Sequence, residues 1–85
     1  MAELWFSEQA DLALRTLESD PTRQRVLEEV TTYLNLLEMK PNNPHLRRRM
    51  YAGGQRRIDL RTDDWMIVWE PLDGNVHVRY IGQAL

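Results

Sequence analysis

At Pro41-Asn42-Asn43-Pro44 the hydrophobic pattern of this chain changes period, and that change restricts the fold more than any other feature. Before it, apolar residues recur at helical spacing. After it, they alternate with polar ones at the period of two that half-buried strands require. Helices collected ahead of strands predict an α+β domain with the helices on one face of an antiparallel sheet.

The elements follow from local signals. Residues 2–6 are short and apolar and fit a strand. Ser7 is a candidate N-cap, and Ala10, Ala13, Leu14 and Leu17 mark one face of a first helix. Asp20-Pro21 restarts a helix, Asp as cap and Pro at the first position. Val26, Leu27, Val30, Tyr33, Leu34 and Leu37 line its apolar face, and Pro41 and Pro44 end it. Strands are then expected over Leu46–Tyr51, Gln55–Arg61, Trp65–Glu70 and Val76–Tyr80. The strand beginning at Trp65 is apolar enough to be central, and Asp73-Gly74 is a two-residue hairpin turn. The predicted order is β-α-α-β-β-β-β, a single domain over residues 1–85 with no repeat or linker.

At 85 residues, a chain buries only about 60–65% of the surface its unfolded form exposes, so a partner is expected to add stability. There is no cysteine, which removes disulfides, thiolate zinc sites and cysteine nucleophiles. Two histidines, His45 and His77, give no metal-ligand spacing, and no metal or other cofactor is expected. Met1-Ala2-Glu3-Leu4-Trp5 shows no basic leader and no stretch reaches membrane-spanning length, so a cytoplasmic chain without a membrane partner is expected.

The net charge of −2 conceals a split. Residues 1–39 hold eight acids and three bases; residues 40–85 hold seven arginines, one lysine and five acids. Guanidinium forks grip phosphate or carboxylate bidentately, so the basic half suggests an anionic partner. Tight turns at Asp63-Asp64 and Asp73-Gly74 place Glu70 opposite His77, Val68 opposite Arg79, Ile58 opposite Trp69 and Arg57 opposite Glu70. The sheet face away from the helices then shows two rows, Arg49–Arg57–Glu70–His77 and Arg47–Asp59–Val68–Arg79. Arg61, Met66 and Ile81 form its apolar end. Trp65, Trp69 and Tyr80 share the parity of Ile67 and Val76, which assigns them to core packing rather than base stacking. His45 reads as a surface loop residue and Gly53-Gly54 as a turn.

The element order, the run Arg56-Arg57-Ile58-Asp59-Leu60-Arg61, the apolar strand Trp65–Trp69, the Asp73-Gly74 turn and the ending Val78-Arg79-Tyr80-Ile81-Gly82 together resemble the RelE/ParE superfamily, the toxins of bacterial type II toxin–antitoxin pairs. The resemblance covers nearly the whole chain. It implies a compact microbial-ribonuclease-like fold and a cognate antitoxin whose extended tail wraps the toxin. In the RelE and YoeB branches it implies cleavage of mRNA in the ribosomal A site, and in the ParE branch poisoning of DNA gyrase without nucleolysis. DNA contact belongs to the antitoxin in such pairs. Arg57 falls where RelE-like members have a cation, Asp59 where RelE has a second lysine, and Met66 where most members have a phosphate-contacting arginine. Gly82-Gln83-Ala84-Leu85 stands where members place Gly-x-Arg or His-Tyr.

Metal-independent RNA cleavage needs a base for the 2′-OH, cations for the phosphate and an acid for the leaving 5′-oxygen. The residues expected to supply these are Glu70 and His77 as acid and base, with Arg57 as catalytic cation. Arg47, Arg49, Arg57, Arg61 and Arg79 are the expected nucleic-acid contacts. Imidazole is the side-chain type suited to proton exchange near neutral pH, although a plain Glu70–His77 ion pair accounts for the same residues. The readings carried forward are an mRNA interferase with an altered site, a gyrase poison, and a non-toxic binding module on the same fold.

Overall fold

The computed structural model describes residues 3–46 and 53–84. Strand β1 (Leu4–Phe6) leads into helix α1 (Glu8–Glu18), a 3-10 turn (Pro21–Arg23) and helix α2 (Gln24–Met39). A second 3-10 turn (Pro44–Leu46) precedes strands β2 (Arg56–Asp59), β3 (Trp65–Leu72) and β4 (Asn75–Gln83). The sheet order is β1-β4-β3-β2, so the apolar β3 is central as expected. Among the described residues, no helix is long and apolar enough to cross a membrane.

The α+β class and the helix hairpin are as the pattern predicts. Ser7 caps α1, its Oγ accepting the Ala10 N–H at 3.1 Å. Asp20-Pro21 begins a 3-10 turn instead of a regular helix. There Asp20 Oδ1 accepts from both the backbone N–H (3.0 Å) and the hydroxyl (2.6 Å) of Thr22, and α2 starts only at Gln24. Ala10, Leu17, Val26, Val30, Leu34 and Leu37 are buried against Ile58, Leu60, Ile67, Trp69, Val76 and Val78. Trp69 is wholly buried at the centre of this layer. Truncating it to alanine would cost about 3–5 kcal/mol.

Four expectations need correction. First, the sheet is not antiparallel throughout: β1 pairs with β4 in parallel, Leu4 facing Val76 and Phe6 facing Val78. The two helices and two strands between them give the chain length enough to return in the same direction. Second, Leu46 closes a 3-10 turn that begins at Pro44, so no strand starts there; the rest of the Leu46–Tyr51 strand, with Arg47 and Arg49, lies outside the described residues.

Third, β2 is displaced by two residues along β3. Ile58 faces Ile67, Arg57 faces Val68 and Arg56 faces Trp69. The cause is the connection. Leu60 N–H donates to Trp65 O, so Arg61–Asp64 form a four-residue loop in place of a two-residue turn, with Asp63 and Asp64 both at positive φ. Glu29 on α2 fixes this loop by accepting the backbone N–H groups of Arg61 (2.8 Å) and Thr62 (3.2 Å).

Fourth, β4 carries a bulge. Near the Asp73-Gly74 turn the register is as expected, with Glu70 facing His77. It shifts between Val68 and Trp69, so Val68 faces Tyr80 and not Arg79, and Ile67 faces Ile81. Arg79 is the extra residue. Beyond it the alternation shifts: Ile81 is wholly buried in the helix-side core, and Tyr80 is left out of it. Ser7 holds the bulge, its hydroxyl donating to Arg79 O at 2.7 Å and its N–H to Val78 O at 3.0 Å. The Gln9 amide then stands in for a further residue of β1, exchanging two bonds with the Ile81 backbone at 2.7 and 3.0 Å.

Candidate functional site: the sheet face away from the helices

The sheet face turned away from the helices is set by alternation. Ile67 and Trp69 point into the core, which leaves Met66, Val68 and Glu70 on the other side. Met66 and Val68 are nonetheless 1% and 2% exposed. Both faces of β3 are therefore dry at its centre, which is why its sequence reads as an unbroken apolar run. Across the strands the rows are Asp59–Met66–Gly82, Arg57–Val68–Tyr80 and Glu70–His77–Trp5.

Polar side chains surround this apolar floor. Arg57 and Asp59, two apart on β2 and so on one face, bond to each other with Arg57 Nε 2.6 Å from Asp59 Oδ1. Arg79 donates from Nε to Glu70 Oε1 at 2.6 Å, and its Nη2 contacts the same oxygen. Both pairs are partly exposed, so each stabilises the fold by about 0–1 kcal/mol. Pairs that weak can exchange a carboxylate for a phosphate at small cost. Arg79 lies on the face of Glu70 by alternation from the buried Val78, and as the extra residue of the bulge it has no partner directly across β3.

His77 faces Glu70 in the register, but the Glu70 carboxylate is taken by Arg79. The imidazole instead lies beside the indole of Trp5, ring centroids 6.2 Å apart and planes 17° from parallel. Tyr80 folds back over Gly82 and donates its hydroxyl to Gln83 O at 2.9 Å. A Cβ at Gly82 would sit 2.5 Å from that hydroxyl, so the glycine is what lets the phenol ring lie there.

Of the residues expected at the site, Arg57, Glu70, His77 and Arg79 share this face. Arg61 is exposed in the β2–β3 loop, beyond the end of β2. Arg47 and Arg49 fall outside the described residues. His45 lines an open pocket of about 430 Å³ with Tyr33, Leu36, Asn43, Leu46, Arg57, Ile58 and Asp59, against the outer side of β2. Among the described residues no group of histidine, aspartate or glutamate is arranged to hold a metal ion. Two face residues escaped the sequence reading: Trp5, whose strand was expected but not its face, and Tyr80, which alternation had assigned to the core.

No family model and no curated protein matches the sequence. Solved structures do. A chain of the intact Escherichia coli RelBE toxin–antitoxin complex superposes with a TM-score of 0.76 at 24% identity, covering 100% of this chain and 99% of that one. A chain of the chromosomal ParDE system of Pseudomonas aeruginosa gives 0.75 at 12% identity, covering 100% and 98%. One from the YoeB–YefM complex of Staphylococcus aureus gives 0.73 at 11% identity, covering 100% and 99%. Agreement over the whole length of chains so different in sequence means that element order, sheet topology and helix placement are held in common. The chain therefore has the fold shared by the RelE, ParE and YoeB toxins of these complexes.

Proposed function

We propose that this chain is the toxin of a bacterial type II toxin–antitoxin pair and that it acts in the cytoplasm as a ribosome-dependent mRNA interferase with an altered active face. The observation that carries the proposal is the gathering of Arg57, Arg79, Glu70 and His77 on the one sheet face that the helices leave uncovered. In this reading Arg57 and Arg79 hold the scissile phosphate, with Arg47, Arg49 and Arg61 as further contacts to the RNA. One of Glu70 and His77 takes the 2′-OH proton as the 2′-oxygen attacks phosphorus, and the other protonates the departing 5′-oxygen. Phosphate binding at Arg79 releases Glu70 from its ion pair, so substrate itself frees the carboxylate to act. Arg79 also supplies, from the bulged strand, a guanidinium that position 66 does not. The cognate antitoxin would cover this face, and contact with DNA would pass through the antitoxin.

A specific observation favours a second reading, a gyrase poison without nuclease activity. Among the described residues, both guanidinium groups of the face already have a carboxylate partner, and Met66 is buried where most RelE-like members carry an arginine. Expression in a bacterial host separates the two. The interferase reading expects growth arrest with cleaved transcripts on ribosomes, and a loss of about 100- to 1,000-fold in cleavage for Arg57→Ala or Arg79→Ala. Arrest with intact transcripts and DNA damage selects the gyrase reading. Absence of arrest, with tight binding to a small acidic protein encoded in the adjacent frame, selects a non-toxic binding module.

A further inference from the structure

Trp5 is 51% exposed, an unusual state for the largest apolar side chain in a small domain. It is held in a defined pose. Strand β1 pairs Trp5 with His77, and the two rings lie 17° from parallel across the strand boundary. With centroids 6.2 Å apart and planes nearly parallel they form an offset stack at one end of the face, with half of the Trp5 surface left open. His77 stands two residues before Arg79 on β4, about 6–7 Å along the strand. Opposite His77 is Glu70, the residue that holds the Arg79 guanidinium.

We propose that Trp5 and His77 form a stacking platform for one unpaired base of single-stranded RNA, whose adjoining phosphate is taken by Arg79. The inference rests on the nucleic-acid reading of this face and assigns it a base-binding site. Charge decides between occupants. The two rings are bordered by Arg79 and Glu70, and a guanidinium beside an open aromatic surface suits a polyanion carrying π faces. An apolar protein segment would need a continuous apolar patch. Among the described residues, the next exposed apolar residue on this face, Leu72, stands two strands away from Trp5, at the end of β3.

The test is a titration of the full chain with a short fluorescein-labelled oligouridylate at low salt, beside the same backbone carrying abasic sites. Trp5→Ala is expected to weaken oligouridylate binding about 5- to 100-fold, while Trp5→Phe, which keeps a ring, retains most of it. The abasic strand is expected to bind wild type and Trp5→Ala alike. Arg79→Ala should weaken both strands and reduce the salt dependence by about one phosphate contact. Oligouridylate binding that Arg79→Ala weakens but Trp5→Ala leaves intact overturns the platform and spares the proposed function. Failure of wild type to bind either strand overturns the platform as well, while the proposed function is judged separately by transcript cleavage on ribosomes. Circular dichroism of Trp5→Ala and Trp5→Phe separates a lost contact from a lost fold.

Discussion

Replacing Glu29 by alanine tests how the β2–β3 connection is fixed. The Glu29 carboxylate receives the N–H of Arg61 at 2.8 Å on one oxygen and that of Thr62 at 3.2 Å on the other. A hydrogen bond to a charged group contributes about 1.5–3 kcal/mol net. Arg61 is exposed, so water replaces most of its bond; Thr62 is half-buried, and its amide is satisfied less well once the carboxylate is gone. The gain in helix propensity from alanine returns a few tenths of a kcal/mol. The expected loss is therefore about 1–3 kcal/mol, read by urea denaturation with an unchanged slope. Each kcal/mol should also lower the melting temperature by about 4–8 °C. Glu29→Gln keeps one acceptor but sets an NH2 group against the second amide, and should recover less than half of the loss. Hydrogen exchange at the Arg61 and Thr62 amides should accelerate in both variants, ahead of the core strands. A Glu29→Ala protein within about 0.3 kcal/mol of wild type, with those two amides equally protected, would refute the account; that margin is the scatter of an ordinary surface substitution.

Two further outcomes follow from side chains with measured partners. Ser7 both accepts from Ala10 N–H and donates to Arg79 O, so Ser7→Ala should cost about 1–3 kcal/mol in thermal or urea unfolding; Ser7→Asp, which caps but cannot donate, should recover the helix share alone and leave the amides around the bulge exchanging faster than in wild type. Asp20 titrates below the ordinary aspartate range because its carboxylate accepts from the Thr22 hydroxyl and backbone N–H, with Arg23 adding to the effect. A pKa lowered by folding means that the unfolded chain binds the proton more readily. The stabilisation is thus complete above the ordinary aspartate range and fades as pH falls through the lowered value. Asp20→Asn should flatten that part of the stability profile, lowering stability at neutral pH and converging with wild type at acid pH; an acid limb identical to wild type would exclude the mechanism.

How much of this was legible in the sequence depended on whether an error preserved parity. The β2–β3 register was displaced by two residues, yet Ile58 and Leu60 still share the core with Ile67 and Trp69. A strand repeats every two residues, so an even slip changes partners and leaves faces alone. The bulge at Arg79 is an odd insertion, and it moved Ile81 into the core and Tyr80 out of it. The sequence carries a trace of this. Core residues on β4 fall at Val76, Val78 and then Ile81, a spacing of three where a regular strand requires two. No comparable trace announces Gln9 or Glu29. Each is a polar residue on a helix surface that bonds backbone 72 or 32 positions away, and such a contact has no periodic signature.

The illegible part also reshapes the candidate site. With strict alternation and no bulge, Arg79 would lie level with Val68, and Tyr80 would occupy the core in place of Ile81. With the extra residue, Arg79 reaches back to Glu70, and Tyr80 enters the row of Arg57 and Val68. Ser7 and Gln9 hold that geometry from outside the sheet, where β1 has ended and β4 would otherwise present unpaired backbone. One hydroxyl at the start of α1 therefore caps the helix and secures the irregularity at Arg79. This also explains how sequences only 11–24% identical keep the fold: the helix-side core needs only apolar residues at the correct parity.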